Sequence, residues 1–106
     1  MTSEQIKKVN KMVMMFLAGI HRVIGRGLSA EKSVSEYAQT LKEEARGSNS
    51  FWLMVVAMVN LHAPLQMTVP LGGNRYLWVQ VSEEMREAVT RFAQEQLFGL
   101  TESGGS

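Results

Sequence analysis

His21, His62 and the adjacent pairs Glu43-Glu44 and Glu83-Glu84 are the residues of this 106-residue chain best suited by type to acid–base or metal chemistry. Neither histidine has further ligands at metal spacing, and no H-E-x-x-H pattern occurs, so each is expected to be structural or superficial. Neighbouring residues on a helix point about 100° apart, and both glutamate pairs fall on faces expected to be wet, where nothing would raise a carboxylate pKa. They read as solvated helix surface.

Cysteine is absent, which removes disulfides, thiolate metal sites and a thiol nucleophile, and makes the cytoplasm the expected location. All ten acidic residues are Glu, so carboxylate chemistry that depends on Asp is missing too. Gly25-Arg26-Gly27 and Gly72-Gly73 match no phosphate-binding loop, and Ser29-Ala-Glu-Lys32 has the bare S-x-x-K spacing without its partner motifs. The sequence therefore predicts no catalytic, cofactor or metal site, and a binding protein rather than an enzyme.

Methionine and the aromatic residues supply the binding candidates. Eight methionines in so short a chain exceed ordinary use, and the flexible, polarizable thioether suits adaptable binding surfaces as well as irregular cores. Most lie on apolar stripes. Met15 falls among cations on a helical wheel and Met12 flanks the apolar stripe. Met15 and the outer sides of Met12, Met54 and Met58 are therefore where partner binding could lie, Met12 and Met15 being the candidate partner-binding methionines. Tyr76 and Trp78 join them, because they alternate onto the strand face opposite Leu77, Val79 and Val81. That face could be covered by the same chain, by a second copy or by a ligand.

Charge is uneven. Residues 1–28 carry +4, residues 29–47 −1, residues 48–81 +1 and residues 82–106 −3, giving a basic head and an acidic tail around a net charge of +1. Lys7, Lys8, Lys11, Arg22 and Arg26 share the polar side of the first helix and are the candidate nucleic-acid contacts. The apolar run Met12–Ile20 is too short for a bilayer core, which needs about 20 residues, so no transmembrane segment is expected. The lysines before it imitate a signal peptide, but no small-x-small cleavage site follows.

These residues must be positioned by five elements. Ile6, Val9, Val13, Phe16, Leu17, Ile20 and Ile24 recur at three- and four-residue steps, predicting a helix over 3–24 ended by Gly25 and Gly27. A second helix is predicted over 30–46, with Val34, Tyr37, Ala38, Leu41 and Ala45 inward and either Ser29 or a later Ser33/Glu36 box as its cap. A third, over 50–61 and ended by Pro64, is apolar all round, so it is either the central core helix or exposes a face that associates with a second copy. Residues 65–71 and 75–81 alternate on either side of Gly72-Gly73-Asn74, predicting a hairpin whose inner face carries Leu65, Met67, Val69, Leu71, Leu77, Val79 and Val81. A last helix begins after Ser82 and runs to about Phe98, with Met85, Ala88, Val89, Phe92 and Gln96 inward. The expectation is one α+β domain over residues 1–100, ordered ααα-ββ-α, with 101–106 as a disordered tail.

The stretch Leu77-Trp-Val-Gln-Val-Ser-Glu-Glu-Met-Arg-Glu-Ala-Val-Thr-Arg-Phe-Ala93 resembles the strand and first helix of ribbon-helix-helix DNA-binding proteins. The resemblance implies a dimer whose outward strand side chains, Tyr76, Trp78 and Gln80 here, would read the major groove. The chain departs from that pattern by ending before a second helix and by lacking Arg, Lys or Asn in the outward set, and the family is not adopted. What remains is a small regulatory or adaptor protein that binds a macromolecule, foremost a protein, through Met-rich and aromatic surface, and that self-associates. Nucleic-acid binding through the basic face and the hairpin aromatics is the alternative, and membrane-surface attachment by the first helix a third reading.

Overall fold

Thr2 opens the first helix, α1 (Ser3–Gly25), with a reciprocal cap: its hydroxyl accepts the Gln5 N–H at 3.2 Å, and Gln5 Oε1 accepts the Thr2 N–H at 2.8 Å. These contacts are seen in a computed structural model that describes residues 2–63 and 66–105. Val13, Phe16, Leu17 and Ile20 form the buried stripe expected of α1. Ile6 does not belong to it and is 45% exposed. Length explains the difference, because the 23 residues of α1 span about 34 Å while helix α4 (Asn49–His62), one of the helices packed against it, spans about 21 Å.

The helix predicted over 30–46 is two helices, α2 (Ala30–Ala38) and α3 (Glu43–Arg46). Ser29 caps α2 by accepting the Lys32 N–H at 3.2 Å; Ser33 is fully buried and donates to the Ser29 carbonyl at 2.7 Å, so it starts nothing. The break follows Tyr37, whose carbonyl accepts both the Thr40 N–H at 3.0 Å and the Thr40 hydroxyl at 2.7 Å. A side chain that competes in this way for helix carbonyls favours a turn over continuation. Lys42 then adopts an extended ψ of 153° and α3 begins.

Helix α4 enters through Ser48, whose hydroxyl accepts the Phe51 N–H at 3.2 Å, and buries Phe51, Trp52, Val55 and Val59. Ala63 leaves the helix extended, as a residue preceding proline should. The predicted stop itself, Pro64, and the predicted strand residue Leu65 lie outside the described residues.

Strands β1 (Gln66–Gly72) and β2 (Arg75–Gln80) form one antiparallel pair. Gly72 and Gly73 take φ values of 101° and 59°, a left-handed conformation that other residues rarely adopt. Met67 pairs with Val79 and Val69 with Leu77, so the expected register is the observed one. Met67, Val69, Val79 and Val81 are buried, whereas Leu71 is exposed, because the pairing shifts between Pro70 and Gly72 and takes it out of alternation.

Ser82 caps the last helix, α5 (Glu83–Gly105), by accepting the Met85 N–H at 3.1 Å. Met85, Ala88, Val89 and Ala93 are buried along it, with Phe92 and Gln96 half-buried. Its backbone stays helical past the end expected at Phe98, through residues 101–105 of the expected tail. The architecture is thus helices, a two-stranded hairpin and a C-terminal helix, an α+β fold.

The core gathers rings from three helices. Phe16 of α1 meets Phe51 and Trp52 of α4 at centroid distances of 5.6 and 5.7 Å, and Trp52 meets Phe92 of α5 at 5.7 Å. Trp52 also donates its indole N–H to the Arg46 carbonyl at 2.9 Å, giving the end of α3 a partner. Glu31 and Arg91 pair between α2 and α5.

Candidate functional site

Helix α1 carries an exposed ridge flanked by two depressions. One, of about 410 Å³, lies between α1 and the α2–α3 turn and is lined by Lys8, Lys11, Met12, Met15, Phe16, Tyr37, Thr40, Leu41, Lys42, Glu44 and Ala45. The other, of about 350 Å³, lies between α1 and the hairpin and includes Lys7, Lys11, Met14, Met15, Val69 and Pro70. Lys11 and Met15 border both. Met15 is 47% exposed and Met12 half-buried, so the two candidate methionines meet in the larger groove.

The groove exists because of two local features that helical periodicity does not reveal. Gly19 is the first: a Cβ placed there would stand 2.0 Å from Tyr37 Cζ and 2.4 Å from its neighbouring ring carbons. Glycine inside a helix costs about 1 kcal/mol relative to alanine, and here it lets the Tyr37 ring lie on α1, 6.0 Å from the Phe16 ring. The turn at Thr40 is the second. It ends α2 early and swings Thr40, Leu41 and Lys42 along the groove, where a continuous helix would have carried them onward.

Three lysines and one glutamate stand around this groove, on a wall of methionine, aromatic and aliphatic carbon. Lys8 Nζ lies 4.0 Å from Glu44 Oε1, both groups well exposed, and such a pair contributes little. Lysine stems can cover apolar surface while their ammonium groups stay in water, so the groove has an apolar floor and a cationic rim.

The five candidate basic residues of α1 are all exposed, but they do not form one site. Lys7, Lys8 and Lys11 border the depressions, whereas Arg22 lies about 16 Å further along the helix axis than Lys11, with Arg26 beyond it. Tyr76 and Trp78 are each 63% exposed. They stand opposite Pro70 and Thr68 across the hairpin. Pro70, the pairing partner of Tyr76, also borders the second depression together with Lys7 and Lys11.

His21 and His62 are half-buried on different helices, and among the described residues no three His, Cys, Asp or Glu side chains gather as a metal site. Glu43, Glu44, Glu83 and Glu84 are exposed, with Glu83 held by Arg86 at 2.9 Å. Among the described residues no helix is long and apolar enough to cross a membrane. Neither protein-family models, nor curated proteins, nor solved structures yield a match to this chain.

Proposed function

We propose that this chain is a non-catalytic binding protein that receives an acidic, amphipathic helical segment of another protein in the groove between α1 and the α2–α3 turn. The observation that carries this reading is the combination of Met12, Met15, Phe16, Tyr37 and Leu41 with Lys8, Lys11 and Lys42 around a single concavity. Helix-in-groove recognition places apolar anchors at i, i+3 or i+4 and i+7 in such a depression, and methionine lets the wall repack around them. The cationic rim selects a segment with carboxylates beside those anchors and steers its approach.

The test uses a designed helical peptide of about 14 residues, a length that gives four turns, with leucine anchors flanked by glutamate, and a counterpart with lysine in place of glutamate. Methyl-labelled methionine NMR should show the Met12 and Met15 signals moving with the acidic peptide and not with the basic one. Equal shifts with both peptides, or shifts confined to other methionines, would contradict the reading.

Nucleic-acid binding is the second reading, supported by the placement of Lys7 and Lys11 beside the hairpin that exposes Tyr76 and Trp78. There the aromatic rings stack on unpaired bases and the lysines contact phosphates. It requires binding of single-stranded DNA whose salt dependence flattens in Lys7→Glu/Lys11→Glu, because fewer counterions are released.

A further inference from the structure

The outer face of α4 carries a separate surface that shares no residue with the groove. Leu53, Ala57 and Leu61 follow one another at four-residue steps and are all exposed, Leu53 by 59% and Leu61 by 75%. That spacing keeps them on one side of the helix, over about 12 Å.

Two properties of this stripe identify its occupant. First, α4 contains no Lys, Arg or Glu, and the charges that reach its edge, Arg86 at Asn60 and Glu83, pair with each other at 2.9 Å, so the face can meet a copy of itself with little like-charge opposition. Second, the stripe is symmetric about Ala57, with one leucine four residues before it and one four residues after. An isologous interface requires a patch complementary to itself under a two-fold rotation. In an antiparallel pair with the axis through Ala57, Leu53 of each copy packs against Leu61 of the other, and the small central side chain lets the helices approach closely. The polar neighbour on the α5 side is already satisfied: Asn60 donates to the Val56 carbonyl at 2.8 Å and to Thr90 Oγ1 at 3.1 Å, and accepts from Arg86 at 3.2 Å.

We infer that the outer face of α4 is a self-interface at which two copies of this chain pack antiparallel, α4 on α4, with Ala57 at the two-fold axis. The stripe is short, and contacts below about 1,200 Å² of total buried surface belong to weak associations. The dimer is therefore concentration-dependent.

The natural chain has no cysteine, so a single introduced thiol reports on one position. Under mild oxidation at high protein concentration, Ala57→Cys should form a covalent dimer at least about tenfold faster than Glu36→Cys on the exposed face of α2, because only the former holds its two thiols together. Sedimentation of the wild type should show mass rising with concentration, and Leu53→Lys/Leu61→Lys, checked for folding by circular dichroism, should remain an 11.9 kDa monomer. Equal cross-linking rates at both positions would overturn the inference, as would a wild type that stays monomeric at millimolar concentration. Dimerization lost in Trp78→Lys and kept in Leu53→Lys/Leu61→Lys would overturn it too, placing the interface on the hairpin.

Discussion

The groove beside α1 and the outer face of α4 both leave apolar side chains at the surface, and they differ in what surrounds those side chains. Lys8, Lys11 and Lys42 ring the groove, whereas α4 bears no Lys, Arg or Glu from end to end. Two grooves brought face to face would oppose lysine with lysine, so a groove of this kind suits a partner of opposite charge. Two α4 faces meet no such penalty. Side-chain type follows the same division: flexible methionines line the concave site, where the proposed partner segment would be accommodated, and leucines flank alanine on the convex one, where a matching shape would suffice. On the proposed reading, exposed apolar surface serves two purposes in one small fold, and the charges beside it tell them apart.

Trp52 underlies both regions, because its ring touches Phe16 below the groove and Phe92 on α5, and its indole N–H holds the end of α3. Trp52→Ala should therefore cost about 3–5 kcal/mol of stability and abolish the distinction between the two surfaces. Denaturant unfolding would measure it, and a loss below about 1 kcal/mol would mean that the ring cluster is not the shared support. Gly19→Ala separates the regions. A methyl group there collides with the Tyr37 ring, so a loss of about 1–3 kcal/mol is expected from overpacking, reduced by the better helix propensity of alanine. Peptide binding in the groove should weaken while α4 association is unchanged. The smallest effect belongs to Leu53→Ser/Leu61→Ser, which should alter monomer stability by no more than about 0.5 kcal/mol at each position, since both side chains are already largely in water. A larger loss would show that they support the fold itself.

The elements whose pattern and stop signals agree were legible in the sequence. The Gly72-Gly73 turn and the alternation around it gave the register that buries Val79 and exposes Trp78. Ser82 followed by glutamates marked the start of α5, and three- and four-residue recurrence gave α1. Periodicity could not reveal the break after Ala38, because Leu41 and Ala45 continue the stripe of α2 while the decisive event is a Thr40 hydroxyl bonding a backbone carbonyl. It could not show that Gly19 yields to a ring from another helix, since that contact joins residues distant in sequence. Ile6 was misplaced for a related reason: a helical wheel reports which side of α1 is apolar, not where its packing partner ends. For the proposed binding surface, Met12, Met15 and the N-terminal lysines were legible as residues of one helix. Tyr37 and Leu41 were assigned to the core, because only the fold shows that an inward stripe can open onto a groove. The all-apolar pattern of α4 left its exposed side unspecified until burial divided Trp52 from Leu53.

The central claim is that the cationic rim selects the groove's occupant, and the most direct measurement is the ratio of affinities for the acidic and basic peptides, taken by isothermal titration at moderate salt. For the wild-type protein the acidic peptide should bind more tightly, and in Lys8→Glu/Lys11→Glu/Lys42→Glu, with the apolar floor intact, the order should invert. A ratio that the triple substitution leaves unchanged would contradict the account, because the lysines would then have no part in choosing what the groove receives.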